Sequence, residues 1–370
     1  MLVALHEDVL GGATLAVLRM LPELERRGCR LAFWLERPTP LATELEARGL
    51  EVHGGPRPIA YSRQGLALPP GPARRILGVP GYLGRFARFL RRHRPDVVHA
   101  NSLLSLVEAG VARAMRVPTV LHVHEIVPSS GKGRVAALTA RLGSDVVAAV
   151  SESCAASLAP AGIEPRIVYG GTEIPDRPVG PPPEGRFAVG MIGTIIHRKG
   201  TDVFLRAAEL VRERAPAAEF ELIGSTHAPL EPDYVAEVVN RASQAGITHR
   251  ESGDVEAAMR GWDLVVLPSR ADPFPSVVLE AMALGVPVVG SAVDGIREQV
   301  TPATGALVPP DDPRALAAAI LELRDAGPER RREIGLAGRR RMIERFTLER
   351  QAEGMRAAYD AAIGDSPTRP

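Results

Sequence analysis

Short apolar runs alternate with amphipathic stretches along most of the chain. Residues 2–6 form the first run, and leucines at every third position from Leu15 to Leu24 then mark one face of a helix. Further apolar runs that predict strands lie at 31–35, 96–99, 118–123, 146–150, 187–193, 220–224, 264–268 and 286–290. Continuous apolar strands separated by helices predict parallel sheets that are covered on both faces.

Two stretches interrupt this alternation. Gly54–Gly81 is rich in proline, glycine and arginine and has no clean period, which predicts a long surface loop. Pro175–Gly185 includes Pro181-Pro182-Pro183 and predicts an interdomain linker. The strand and helix pattern restarts after it, so we expect two Rossmann-like α/β domains, 1–174 and 175–346, whose parallel sheets face each other across a cleft.

Composition excludes several classes of protein. The 45 basic and 44 acidic residues nearly cancel, and only 4% of residues are aromatic, so neither net charge nor base stacking indicates a nucleic-acid partner. No run of 18 apolar residues occurs, and no basic segment precedes an apolar stretch at the start. We therefore expect a cytoplasmic protein, and any membrane contact is expected to be peripheral.

A stretch from Leu83 to Arg94 carries arginines on one face and Leu83, Phe86 and Leu90 on the other. Two interpretations stand. The helix could lie on an anionic membrane surface, or it could cover the sheet and lead into the strand that begins near Asp96.

Gly11-Gly12-Ala13 follows the first strand and opens the first helix. Glycine lets the backbone approach a ligand closely, and the helix start offers free N–H groups. The alternative is a tight turn between strand and helix. The pattern lacks a G-x-G-x-x-G sequence, so a dinucleotide fingerprint is not supported.

The segment 190–200 places Arg198 and Lys199 on a loop between a strand and a helix. Lys199 is one of only two lysines in the chain, the other being Lys132. Two cations at such a position suit a diphosphate that gains charge as it leaves. The alternative is a solvated turn.

The segment 268–282 holds two carboxylates around the start of a helix. Asp272 lies in a proline-rich turn after a strand, and the amides of Ser276 and Val277 begin the helix. Glu280 lies one turn further on the same side as Ser276. Carboxylates that bracket an anion-binding helix end suit a polyol phosphate.

Histidines cluster near the ends of two strands of the first half, at His99, His122 and His124. Glu125 follows them, and three interpretations remain open: metal ligation, hydrogen bonding to a sugar, and a structural role. No Asp-x-Asp sequence supports a metal-bridged diphosphate, and the two cysteines, Cys29 and Cys154, have no zinc-site spacing. We expect no metal site and no bound cofactor.

The ordered set of these motifs resembles the retaining GT-B glycosyltransferases of family 4 over nearly the whole chain. The residues that carry the resemblance are Gly11-Gly12-Ala13, 98–102, 122–125, 150–153, 168–172, Lys199-Gly200, Asp272 to Glu280, 294–298 and 304–309. The resemblance implies a metal-independent enzyme that transfers a sugar from a nucleotide-diphosphate sugar to an acceptor hydroxyl. It also implies that a final helix, about 347–364, packs back on the first domain.

The resemblance assigns roles to single residues. Lys199 and a neighbouring cation, Arg198, would bind the donor pyrophosphate. The amides of Ser276 and Val277 would help to hold it, and the loop residues Gly11, Gly12, Gly193 and Thr194 would also contact the donor. Glu280 would contact the ribose, Asp272 the hydroxyls of the donor sugar, and His124 the same sugar from the first domain.

Three positions depart from the family pattern. Asp272 stands where the first glutamate of an E-x7-E motif is usual, Pro275 replaces a common glycine, and Thr194 replaces an arginine whose charge Arg198 would supply. Asp272 and Pro275 leave a non-catalytic nucleotide-sugar-binding relative as one alternative function. A GT-B nucleotide-sugar epimerase is another, for which only the histidine cluster could offer the acid and base residues. A nicotinamide dehydrogenase is the least favoured alternative, and the sequence does not indicate the donor, the acceptor or the oligomeric state.

Overall fold

The chain divides into two compact α/β units. The computed structural model describes residues 1–7, 10–57, 72–180, 185–228 and 230–365. The first unit comprises Met1–Gly171 and Leu348–Pro370, and the second comprises Thr172–Thr347. No helix among these described residues has both the length and the apolar character needed to cross a membrane.

Each unit contains one parallel sheet. The strands of the first unit are β1 (Leu2–Ala4), β2 (Ala32–Leu35), β3 (Glu51–Gly54), β4 (Val98–Asn101), β5 (Thr119–Val123), β6 (Val146–Ala149) and β7 (Arg166–Ile167). Those of the second unit are β8 (Ala188–Ile192), β9 (Glu219–Ile223), β10 (Thr248–Arg250), β11 (Leu264–Leu267), β12 (Val288–Ser291) and β13 (Gly305–Val308). The sheet orders are β3-β2-β1-β4-β5-β6-β7 and β10-β9-β8-β11-β12-β13.

Both sheets reverse their strand order at one point. In the first unit β1 pairs in parallel with β2 and with β4, so that Val3 lies beside Phe33 on one side and His99 on the other. In the second unit β8 pairs in the same way with β9 and β11. In such sheets ligands bind at the carboxyl ends of the strands, at the point of reversal. The predicted fold class is confirmed in both units.

The helices connect these strands and cover the sheets. They are α1 (Gly12–Arg26), α2 (Pro40–Ala47), α3 (Pro72–His93), α4 (Leu106–Ala114), α5 (Gly131–Gly143), α6 (Glu152–Leu158), α7 (Thr201–Arg214), α8 (Pro232–Gln244), α9 (Val255–Met259), α10 (Ser276–Leu284), α11 (Asp294–Gln299), α12 (Pro313–Asp325), α13 (Gly327–Arg345) and α14 (Leu348–Asp365).

The predicted loop over Gly54–Gly81 is wrong from Pro72 onward, because α3 begins there. A proline is well tolerated at the first position of a helix, where its missing N–H is not needed. Later residues of α3 are buried in the core, and this burial outweighs the glycine and proline content that favoured a loop. Residues 58–71 of the predicted loop, and the three prolines 181–183 of the predicted linker, lie outside the described residues.

Successive side chains of β2 show how both faces of the first sheet are covered. Phe33 and Leu35 are fully buried in a cluster that includes residues of α1 and α14. Trp34, between them, points to the other face and packs against Phe86 of α3 with ring centroids 4.9 Å apart. Its indole N–H donates to the hydroxyl of Tyr82 over 3.0 Å. Helix α3 thus covers one face of the sheet, as the second of the two interpretations of residues 83–94 predicted.

Helix α14 returns to the first unit through a buried apolar face. Met355 and Tyr359 are buried in the same cluster as Phe33. The Tyr359 hydroxyl lies 2.9 Å from Nδ1 of His99 on β4. Near its start, Gln351 accepts a hydrogen bond from the amide of Gly171 over 2.9 Å. These contacts explain why a segment after residue 347 joins the first unit.

A buried ion pair fixes the start of the second sheet. Arg331 of α13 donates to Asp263 over 2.9 Å, and both side chains are buried. The other carboxylate oxygen of Asp263 accepts from the amide of Ala188, the first residue of β8, over 2.9 Å. A carboxylate with partners at both oxygens avoids the free-energy cost of an uncompensated buried charge.

Candidate active site

The polar residues of the first unit gather where β1, β4 and β5 end. His124 directly follows β5, and its Nε2 lies 2.9 Å from Oδ1 of Asn101, the last residue of β4. The amide group of Asn101 donates in turn to the carbonyl of Ala13 in α1 over 3.1 Å. Because Oδ1 can only accept, His124 carries its proton on Nε2, and Nδ1 is left as an acceptor.

The imidazole of His124 is neutral at neutral pH. Burial, and then the neighbouring His122 and His6, lower the pKa of His124 well below its usual value. A neutral ring with an acceptor nitrogen suits a hydroxyl group better than a phosphate.

Glu125 supports the loop that follows β4. Its carboxylate accepts hydrogen bonds from the hydroxyl of Ser102 and from the amide of His124, the latter over 3.0 Å. Burial raises the pKa of Glu125 despite these hydrogen bonds. These hydrogen bonds hold the backbone of His124 next to the loop that follows β4.

The structure separates the three predicted histidines. His99 and His122 are fully buried, and His99 contacts Tyr359 of the core. Burial, with a smaller effect of His124, lowers the pKa of His99 to about 3. Sugar binding is therefore the wrong interpretation for His99 and His122. Only His124, which is half-buried, is placed to meet a ligand.

Glu7 lies beside the predicted Gly11-Gly12 loop, and the sequence interpretation did not include it. Its carboxylate lies over the start of α1 and accepts hydrogen bonds from Thr14, including the amide over 3.1 Å. A Cβ atom at Gly11 would lie 1.6 Å from Glu7 Oε1, whereas one at Gly12 would have no atom within 4 Å. The predicted anion-binding helix end thus already carries a carboxylate. The signal in the sequence was an acid four residues before the glycine pair.

In the second unit the predicted cations and the first carboxylate meet. Lys199 Nζ lies 2.6 Å from Oδ2 of Asp272, and the guanidinium of Arg198 lies 3.7 Å from Oδ1. Lys199 ends a short 3-10 turn after β8, and Asp272 lies in the turn after β11. These two neighbouring strands flank the point at which the strand order reverses.

A second ion pair holds the loop that carries Asp272. Arg270 donates to both carboxylate oxygens of Asp202 in α7, each over 2.9 Å. Burial raises the pKa of Asp202, but hydrogen bonds from Arg270 and Tyr234 outweigh this effect and leave it below its usual value. The amide of Asp272 donates to Asp294 over 2.8 Å, which joins the same loop to α11.

Helix α10 begins beside this loop with Ser276 and Val277. Pro275 is its N-cap, and among the described residues no side chain caps the helix. Such a helix start presents backbone N–H groups and a partial positive charge. Glu280, one turn further, is half-buried. Arg198, Lys199, Asp272 and the start of α10 thus form one cationic site.

Gly193 and Thr194 lie on the loop after β8. The amide of Gly193 donates to Ile223 over 3.0 Å, which fixes the loop to β9. The carbon chain of Lys199 passes 3.8 Å from the position of a Cβ atom at Gly193. Lys199 thus packs along Gly193 on its way to Asp272, and Thr194 is half-exposed next to it.

Comparison with known protein families identifies the chain. A family model described as Glycosyltransferase Family 4 matches residues 10–174, and one described as Glycosyl transferases group 1 matches residues 186–325. Together the two matches cover the predicted residues of the candidate site. The chain thus carries a Glycosyltransferase Family 4 domain followed by a Glycosyl transferases group 1 domain. Its two sheets and their positions in the sequence are those of the GT-B fold.

The transferase has curated relatives with different named activities. A D-inositol 3-phosphate glycosyltransferase of Salinispora tropica is 34% identical over 202 residues, which are 50% of this chain but only 41% of that protein. The chain therefore matches less than half of that relative's length. A 2-deoxystreptamine N-acetyl-D-glucosaminyltransferase of Streptomyces fradiae is 29% identical and aligns over 96% of this chain and 93% of its own.

Among solved structures, the HepE protein of Anabaena in complex with UDP and glucose superposes with a TM-score of 0.80. The superposition covers 97% of the transferase and 98% of HepE, at 22% sequence identity. At this identity the likeness establishes the shared GT-B fold.

The backbone contact of Gly200 with Pro268 holds the loop that carries Lys199, and substitution of Gly200 tests how tight this contact is. The φ of Gly200 is +68°, and a Cβ atom would lie 2.0 Å from the carbonyl oxygen of Pro268, next to β11. Gly246 has a similar φ of +61° but open space around it. Both Gly→Ala substitutions incur the strain of a positive φ, about 1 kcal/mol, and only Gly200→Ala adds a backbone clash.

We expect Gly200→Ala to lower the urea midpoint of the second unit clearly more than Gly246→Ala does. Equal losses in the two variants would show that the backbone contact between Gly200 and Pro268 is not tight.

Proposed function

We propose that the chain is a metal-independent, retaining glycosyltransferase that uses a nucleotide-diphosphate sugar as donor. The observation that carries the proposal is the cationic site: Lys199 and Arg198 lie around Asp272, beside the uncapped start of α10. Lysine and arginine side chains and helix starts are standard partners of phosphate groups.

The diphosphate of the donor would occupy the cationic site. Lys199 and Arg198 supply two positive charges, and the amides of Ser276 and Val277 add the partial charge of the helix end. These groups neutralise a leaving diphosphate without a divalent ion, which is the basis for proposing metal independence.

The two carboxylates would orient the hydroxyl groups of the donor. Asp272 contacts Lys199 through Oδ2 and lies 3.7 Å from Arg198 through Oδ1. The side chain is buried, so Oδ1 would reach a sugar hydroxyl only when the donor displaces part of this ion pair. Glu280 would accept from the ribose. Gly12, Gly193 and Thr194 would approach the donor through backbone atoms. The carboxylate of Glu7 fills the space next to Gly11, so the predicted contact of Gly11 with the donor would require Glu7 to move. In the first unit, Nδ1 of His124 would accept a hydrogen bond from a hydroxyl of a saccharide substrate.

The reaction would proceed by displacement on the front face of the sugar. The acceptor oxygen bonds to the anomeric carbon as the bond from that carbon to the β-phosphate oxygen breaks. The proton of the acceptor hydroxyl passes to this phosphate oxygen, and Lys199 stabilises its charge. No nucleophile of the protein takes part.

This mechanism predicts retention at the anomeric carbon. When water replaces the acceptor, slow hydrolysis of an α-linked donor should release the α-anomer of the free sugar first. Proton NMR during the first minutes measures that anomer before it equilibrates. Initial release of the β-anomer would contradict front-face displacement.

The relatives guide the choice of donor. HepE is described in complex with UDP-glucose and with UDP, and a relative that aligns over 96% of this chain is named an N-acetyl-D-glucosaminyltransferase. UDP is therefore the first nucleotide to test, followed by GDP, ADP, dTDP and CMP.

Lys199→Ala tests the donor site directly. A nucleotide that binds only the folded protein raises its melting temperature. We expect one nucleoside diphosphate to raise it in the native protein, with and without a chelator, and Lys199→Ala to weaken binding by roughly tenfold or more, since a charged hydrogen bond is worth about 1.5–3 kcal/mol. Calorimetry gives the affinities.

The matched control is Lys132→Ala, because Lys132 is the only other lysine and lies exposed on α5. Its affinity for the nucleotide should equal that of the native protein. Unchanged affinity in Lys199→Ala would remove the donor site from this loop, and dependence on magnesium would contradict metal independence.

We also propose that the enzyme contacts an anionic membrane surface, and that α5 rather than α3 provides the contact. Val135, Leu138 and Leu142 of α5 are 65%, 49% and 67% exposed. They lie three and four residues apart and so form one stripe. Three exposed cations, Lys132, Arg134 and Arg141, flank the stripe, and α5 contains no acid. An apolar stripe edged by cations suits anionic lipid headgroups.

The membrane proposal predicts a difference between lipids. The protein should sediment with vesicles that contain phosphatidylglycerol more than with neutral phosphatidylcholine vesicles, and added salt should weaken the binding. The double variant Leu138→Ser, Leu142→Ser should bind about tenfold less or weaker still, because two leucines lose their apolar burial. Leu230→Ser is the control, since Leu230 is an equally exposed leucine of the second unit. Equal binding to both lipids, or an unaffected double variant, would contradict the proposal.

A further inference from the structure

Two histidines and a glutamate converge at the edge of the first sheet, away from the candidate active site. Glu51 and His53 lie on β3, and His93 is the last residue of α3. Glu51 Oε1 lies 2.6 Å from His53 Nε2. One ligand atom from each of the three side chains lies within 4.8 Å of the other two. We call this group the Glu51 cluster.

The backbone brings the Glu51 cluster together. Residues 51 and 53 share a face of β3 because alternate residues of a strand point the same way. Strand β3 is at the edge of its sheet and pairs with β2, with Glu51 beside Ala32. Ala32 is the first residue of β2, so Glu51 lies at the amino ends of the strands. The polar residues around His124 lie at the opposite, carboxyl ends.

An aromatic ring holds both imidazoles. Phe89, one turn before His93, stacks on its ring with centroids 4.1 Å apart and an angle of 17°. The same phenylalanine lies 4.6 Å from the ring of His53. The two imidazoles are themselves 5.0 Å apart. Fixed rings reduce the entropy that a metal ion must overcome when it orders its ligands.

The ligand set indicates the kind of metal. Two imidazole nitrogens and one carboxylate suit zinc and neighbouring transition metals, whereas calcium and magnesium require mainly oxygen ligands. Tetrahedral zinc with bonds of about 2.0–2.2 Å separates its ligand atoms by about 3.3–3.6 Å. To reach this spacing, the side chains of Glu51 and His93, both exposed, would have to turn toward the ion. A simple hydrogen bond between Glu51 and His53 would also explain their contact. That explanation does not account for the position of His93 beside them.

We propose that the Glu51 cluster is a zinc site with three protein ligands and one coordination position open to solvent. Glu51, Phe89 and His93 also line a surface cavity, through which water or a small anion would reach that position. The bound ion would connect the edge strand β3 to the end of α3. It would raise the free energy of unfolding of the first unit, and more so at higher affinity and higher zinc concentration. This site is separate from the proposed transfer reaction, which uses no metal.

Zinc alone is the probe. Calorimetric titration of the chelator-treated full chain at pH 7.5 should show one zinc ion per chain, and the melting temperature should rise with zinc. His53→Gln and His93→Gln should each weaken zinc binding by roughly tenfold or more. Losses of that size are seen when a residue that only hydrogen-bonds to a metal ligand is removed, and the loss of a ligand itself should be at least as large. His227→Gln, which removes an exposed histidine of the second unit, should bind zinc like the native protein.

Cobalt gives a second readout that does not depend on stability. Cobalt in a site of low coordination number absorbs visible light strongly, so the native protein should turn coloured and both glutamine variants should not. Absence of stoichiometric zinc binding, or zinc binding that both variants retain, would overturn the proposal. The shift in melting temperature caused by a nucleotide should be the same in His53→Gln and in the native protein, so failure here is distinguishable from failure of the donor site.

Discussion

Parallel pairing of every strand, with one reversal of order in each sheet, is the constraint on which the rest of this structure depends. A parallel sheet sends all its carboxyl ends to one edge, and the chain leaves in opposite directions at the reversal. The loops after β1 and β4, and those after β8 and β11, are therefore brought side by side. Loops far apart in the sequence, such as those of Lys199 and Asp272, become neighbours for this reason alone.

The two units use different electrostatics at these strand ends. In the first, burial keeps His124 neutral, and Asn101 fixes its tautomer, so the polar groups suit hydroxyls. In the second, Lys199 and Arg198 surround a single carboxylate, and an uncapped helix start adds positive potential. The surplus of positive charge suits a diphosphate. The two units therefore offer different groups to a ligand.

The departures from the family pattern have a structural explanation in part. Asp272 is one methylene shorter than glutamate, yet Lys199 reaches it over 2.6 Å. Arg198, which the sequence offered in place of an arginine at Thr194, lies within 3.7 Å of the same carboxylate. Pro275 is the N-cap of α10. The N–H that proline lacks is not needed there, because the backbone N–H at this position has no acceptor within the helix. The site thus has a carboxylate and two cations close together, although Asp272 and Arg198 differ from the residues usual in the family.

The sequence by itself indicated nine of the thirteen strands of the described residues, the GT-B architecture, the loop positions of Lys199 and Asp272, and a helix start at Ser276, because periodicity, turns and helix starts are set by nearby residues. It did not indicate β3, β7, β10 and β13, the edge strands of the two sheets, most of whose residues are not buried. It did not reveal the start of α3, whose glycines and prolines favoured a loop until burial against Trp34 was known. Nor did it separate the buried His99 and His122 from His124, place Glu7 over α1, or bring His93 to Glu51. Each of these depends on which distant groups share a buried or neighbouring space, and only the tertiary structure decides that.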